Sequence, residues 1–155
     1  MLGIREDRLS IYLNDHLAGS TAGLQLARSI ARSHPELREL AAEIEEDRET
    51  LLDLMRRLGI GEDRVKVAIG WVAEKAGRLK LSGDLVGDTP LNRLEKLEAM
   101  SLGVEGKLGM WEALQRTHDG DPRLGPISLE RLVERPRAQR EQLERERLRV
   151  AERAF

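Results

Sequence analysis

The chain has 155 residues, of which 40% are apolar and 35% charged, enough for one ordinary domain with a real core. Its 26 basic and 28 acidic residues are mixed along the chain, and there are only two Trp, one Tyr and one Phe. It therefore has neither the basic stripe nor the stacking aromatics of a nucleic-acid binder. The absence of cysteine removes disulfides, thiolate metal sites and thiol catalysis.

The opening MLGIREDRLS has no apolar leader core, and no stretch approaches the ~18 apolar residues of a membrane span. A cytoplasmic protein is the expectation. Leu, Ala, Glu and Arg dominate, so propensity favours helix almost throughout. A first helix is expected over about 6–34, broken by Pro35 because the residue before proline avoids the helical region. Its face of Leu9, Leu13, Leu17, Leu24, Ala27 and Ala31 is interrupted by His16 and Ser20.

A second helix is expected over about 36–58, striped by Leu37, Leu40, Ile44, Leu51, Met55 and Leu58, and ended by Gly59–Ile60–Gly61. Asp47 and Arg48 fall on that stripe, and Glu43 flanks them one turn earlier. A shorter helix over about 62–81 follows, with Trp71 off its apolar side, and then the turn-rich SGDLVGD.

Thr89–Pro90 is a start signal, a hydroxyl cap followed by a first-turn proline, for a helix reaching about 117. Glu98, Glu105 and Glu112 recur along it every seven residues. Gly103, Gly106 and Gly109 each cost up to ~1 kcal/mol relative to Ala in a helix interior. The expected compensation is a groove for a closely packed helix, with a pocket beside Glu105 as the functional alternative.

HDGDPRLGPI is a loop. Asp119, Asp121 and Glu130 echo a calcium loop there, but Arg123 and Leu124 stand where an oxygen ligand and a glycine are needed. His34 and His118 lie at helix ends, where capping or dipole interaction is expected. Ser128 caps a last helix over about 129–153, which Pro136 should kink. Gln139 and Arg140 interrupt its line of Leu132, Val133, Leu143 and Val150.

The short links predict two antiparallel hairpins, and the residues between them are numerous enough to run the length of the molecule. The expectation is an all-α single domain over 1–155: a four-helix bundle with a helical crossover between hairpins. Each long helix carries polar groups near its midpoint, and a buried charge needs a partner or a metal. The expected layer comprises His16, Ser20, Asp47, Arg48, Glu105, Gln139 and Arg140, with the two arginines neutralising the carboxylates.

In this layout the chain resembles the ferritin-like superfamily, whose di-iron site takes a Glu from each of two helices and Glu-x-x-His from the other two. YLNDHLAG with the later EIEEDR is also similar to a group of bacterial proteins, which supplies no activity. No histidine here follows a glutamate by three residues, and Gln139 and Gln142 stand where the last helix should carry a carboxylate and an imidazole. The primary expectation is therefore a non-catalytic scaffold or interaction protein without a cofactor, able to form a homodimer. The alternative is a metal-binding protein or oxidoreductase in which His16, Glu43, Asp47, Glu98 and Glu105 hold iron, manganese or zinc. A further possibility is a small-molecule binder using a cavity beside the glycine face.

Overall fold

The computed structural model describes residues 2–63 and 89–155, with side chains from residue 8 onward. The fold is all-α. Among the described residues are four long helices, α1 (Leu2–Ser33), α2 (Arg38–Arg57), α3 (Pro90–His118) and α4 (Leu129–Ala154), with 3-10 turns at Pro35–Leu37 between α1 and α2 and at Pro122–Leu124 between α3 and α4. Among the described residues there is no strand. No helix among them is long and apolar enough to cross a membrane.

Local chemistry accounts for the helix ends. His34 precedes Pro35 and takes φ −127°, ψ 81°, outside the helical region. The proline then opens a 3-10 turn rather than α-helix, so α2 begins at Arg38, two residues later than the sequence implies. Gly59 (φ 72°) closes α2 in a Schellman turn: Ile60 N–H donates to the Met55 carbonyl and Gly59 N–H to that of Arg56. Thr89 Oγ1 accepts from Asn92 N–H at 3.2 Å, and Ser128 Oγ from Arg131 N–H at 3.3 Å, capping α3 and α4. Helix α4 continues through the buried Pro136.

α1 packs on α2, α3 on α4, and α1 on α3. The apolar core forms two clusters. One joins Leu13 and Leu17 to Leu51, Leu54, Met55, Trp111 and Leu132, and the other joins Ala27 and Ile30 to Leu40, Ile44, Leu97, Met100 and Leu143. The first cluster gathers the start of α1, the ends of α2 and α3 and the start of α4, so α1 runs antiparallel to α2 and α3 to α4, whereas α2 and α3 run parallel.

Asp63 donates its backbone N–H to Asn14 Oδ1, at the end of the first cluster. Residue 89 opens α3, whose Leu94 belongs to the second. The flanks of 64–88 thus lie at opposite ends of the molecule. The helix expected over 62–81, Trp71 and SGDLVGD lie, from residue 64 on, outside the described residues.

The seven-residue repeat of glutamates on α3 has a specific outlet. Glu98, Glu105 and Glu112 pair with Arg147, Arg140 and Arg137 of α4 at 3.4, 2.9 and 2.8 Å. These are rungs of an exposed ladder flanking an antiparallel helix pair, as edge charges are in coiled coils.

Candidate functional site

Between the two core clusters lies an ionic layer centred on Asp47, whose side chain is 2% exposed. Asp47 sits three residues after Ile44 and four before Leu51, on the buried face of α2. Lys107 Nζ of α3 donates to Asp47 Oδ2 at 2.5 Å and to Gln139 Oε1 at 2.6 Å. Arg135 of α4 donates to Asp47 Oδ1 at 2.9 Å and also meets Glu46 at 3.2 Å. Gln139 Nε2 donates to Glu43 at 2.8 Å.

One carboxylate thus holds two cations from two other helices, and every polar group of the layer has a partner. Burial pulls the Lys107 ammonium below the usual lysine range, against the opposing attraction of Asp47.

Beside this layer, between α1, α2 and α3, is a cavity of about 470 Å³. Its walls are mainly apolar: Ile44, Leu51, Met100, Val104, Met110 and Trp111. The polar groups at its boundary include His16, Ser20, Asp47, Arg48 and Lys107. Four helical glycines, Gly19 and Gly23 of α1 with Gly103 and Gly106 of α3, also line it.

Among the described residues, a Cβ added at any of the four would meet no atom within 4 Å beyond its own helix and chain neighbours, and the same holds for Gly109 outside the cavity. Within those residues no helix packs closely on Gly103, Gly106 or Gly109, where that contact was expected. None has a positive φ, so backbone strain does not demand glycine there, and toward the described residues their missing side chains leave open volume. Trp111 is fully buried, lines this space, and its Nε1 has no acceptor among the described residues.

His16 does not join the carboxylates. It is half-buried, stacks edge-on with Tyr12 (ring centroids 4.6 Å apart) and borders the cavity. Burial lowers its pKa, partly offset by Asp15. Ser20 Oγ is spent on the Leu17 carbonyl of its own helix at 2.7 Å.

Arg48 is not the partner of Asp47: it donates to Thr21 and Glu49 at 3.3 and 3.2 Å. Glu105 and Arg140 pair with each other, about half exposed, on the outer ladder, because the heptad places them on the helix flank. Glu98 is likewise outside. Of the expected layer, the structure brings together Asp47 and Gln139, with Glu43 attached to Gln139. Lys107 and Arg135 replace Arg48 and Arg140.

Sequence reasoning overlooked Lys107 within the glycine run and Arg135 beside Pro136. Their signal was helical spacing: Lys107 stands three after Val104 and four before Trp111, and Arg135 four before Gln139.

A di-iron centre does not fit this donor set. Two cationic side chains occupy the buried carboxylate, Glu43 is engaged by Gln139, the second-helix motif lacks histidine, and His16, Glu98 and Glu105 face elsewhere. At the sequence's calcium-like loop, Asp121 accepts from the Arg123 backbone and guanidinium at 2.9 and 2.7 Å, which holds its carboxyl down to about 2.

His34, expected to cap a helix end or interact with its dipole, lies at the end of α1 and makes no side-chain cap. Its Nδ1 instead faces Glu146 and Glu36 at 3.1 and 3.3 Å. His118 pairs locally with Thr117 at 2.8 Å. Comparison with protein-family models, curated proteins and solved structures finds no match to this chain.

Proposed function

We infer that the chain is a non-catalytic binding protein that takes a small, mostly apolar molecule into the cavity between α1, α2 and α3. We further infer a ferritin-like layout in which the Asp47 layer stands in place of a di-metal centre. Supporting that layout are the two antiparallel hairpins and the position of residues 63 and 89 at opposite ends. The observation that carries the binding reading is the glycine lining. Four helix-interior glycines, each costing up to ~1 kcal/mol relative to Ala, border about 470 Å³ of mainly apolar space that alanine side chains would begin to fill.

The volume is that of an ordinary small-ligand pocket. The Trp111 indole N–H favours a ligand that carries an acceptor group. Among the described residues no nucleophile with an attendant base and no oxyanion-binding turn accompanies the cavity, which favours binding over catalysis.

The test is a fluorescence titration with 1-anilinonaphthalene-8-sulfonate, an apolar probe with an anionic acceptor, in a Trp71→Phe background so that Trp111 reports. Saturable binding near one probe per chain, with transfer from Trp111, is expected. Gly106→Leu should abolish it with helical and near-ultraviolet circular dichroism unchanged. Undiminished binding to a folded Gly106→Leu protein would overturn the assignment.

A further inference from the structure

The joint between α1 and α2 and the far end of α4 together hold a cluster distant from the cavity. His34 closes α1, Pro35 fixes the backbone after it, and Glu36 follows in the 3-10 turn. Glu146 comes from α4, one face of which covers this joint. The ligating atoms of the three side chains lie within 4.8 Å of one another. His34 and Glu146 are buried, with side chains 7% and 9% exposed, whereas the Glu36 side chain is 48% exposed and leaves an approach from solvent.

Two distances bear on what the cluster is suited to. His34 Nδ1 stands 3.1 Å from Glu146 Oε1 and 3.3 Å from Glu36 Oε1. Two ligand atoms each about 2.0–2.1 Å from a tetrahedral Zn²⁺ are separated by about 3.3 Å, so these gaps are those of a coordination shell. The other ring nitrogen, Nε2, is buried with no hydrogen-bond partner among the described residues.

The two carboxylates of the cluster call for balancing positive charge. Arg149 supplies part, donating to Glu146 Oε2 at 2.9 Å, and this contact leaves Oε1 turned to the cluster. Gln142 Nε2 donates to the Glu36 carbonyl at 3.3 Å and steadies the turn.

We propose that His34, Glu36 and Glu146 bind one divalent transition-metal cation, Zn²⁺ or Mn²⁺, with solvent completing its coordination on the Glu36 side. The site joins the α1–α2 turn to α4, so the cation clamps one end of the helical body. It uses none of the residues His16, Glu43, Asp47, Glu98 or Glu105 and is independent of the cavity.

The test is calorimetric titration of chelator-stripped full-length protein with ZnCl₂ and, separately, MnCl₂. About one equivalent per chain is expected, with a rise in Tm on saturation. Glu36→Gln, on an exposed side chain, should keep the fold and weaken binding at least tenfold, and His34→Gln should abolish it. His16→Gln and His118→Gln should bind like the parent.

The chain has three histidines, so imidazole ¹⁵N spectra of the unaltered protein give a second readout: Nδ1 of His34 alone should shift on adding Zn²⁺. The assignment is overturned if no cation binds or if Glu36→Gln binds as tightly as the parent. It is equally overturned if the His34 Nδ1 resonance does not respond to Zn²⁺.

Discussion

Replacing the cavity-lining glycines by alanine separates what a glycine costs the fold from what it gives the site. At Gly19, Gly23, Gly103 and Gly106 an added methyl meets no neighbouring atom of the described residues within 4 Å. The helix interior disfavours Gly relative to Ala by up to ~1 kcal/mol, through the greater freedom of the unfolded chain. Each single Gly→Ala change is thus expected to stabilise by about 0.4–1 kcal/mol, which for a chain of this length is about 1–4 °C in Tm.

Gly109 shares this freedom but lies outside the cavity, and it is the control. Gly109→Ala should stabilise and leave probe affinity unchanged, whereas Gly103→Ala and Gly106→Ala should stabilise and weaken it. Urea melts with constant m, read beside the probe titration, give both quantities on one sample. Loss of stability in Gly103→Ala and Gly106→Ala would refute the reasoning, because it would mean that these glycines answer a packing demand.

Asp47→Ala strands Lys107 and Arg135 without their buried counter-charge and should cost about 3–5 kcal/mol in urea melts. An Asp47→Leu, Lys107→Met, Arg135→Met protein should recover most of that loss. By contrast Glu105→Gln, on the exposed ladder, should change stability by less than about 1 kcal/mol, measured in the same way. Burial lowers the pKa of His16 in the folded chain, so the unfolded state takes up the proton first as pH falls below about 6.5. The stability due to this group is therefore full above that pH and lost as pH falls toward the folded value. Urea melts between pH 7.5 and 5 should accordingly fall less steeply in His16→Gln than in the parent. Trp111→Phe removes an orphaned N–H, so it should leave the apo protein no less stable than one indole-sized repacking allows, about 1.5 kcal/mol, while probe affinity drops.

The helices, caps and breaks were legible because they depend on local chemistry: Thr89–Pro90, Ser128 and Gly59 each act within one turn of their own position. A polar interruption at mid-height was legible too, since Asp47 and Gln139 break apolar stripes that have no local reason to break. The partners were not. Helical periodicity cannot separate the centre of a buried face from its flank, and Glu105 and Arg140 sit only a fraction of a turn away from positions that point inward.

Lys107 and Arg135 escaped notice for a related reason. A long cationic side chain can start near a helix edge and still deliver its charge to the interior. The cavity could be posed as an alternative from the glycine spacing, but whether a neighbouring helix filled it is a tertiary fact. The His34 cluster is less legible still, because Glu146 lies 112 residues from its partner.

The cavity sits where the two apolar clusters fail to meet. Ile44, Met100 and Val104 on its wall belong to one cluster, and Leu51, Met110 and Trp111 to the other. A guest seated there would touch both at once and act as a keystone, joining through a dry contact two halves that otherwise communicate across charged groups. Amide exchange in the helices on either side of the waist should then slow in concert when the guest binds, although most of those amides never come near it.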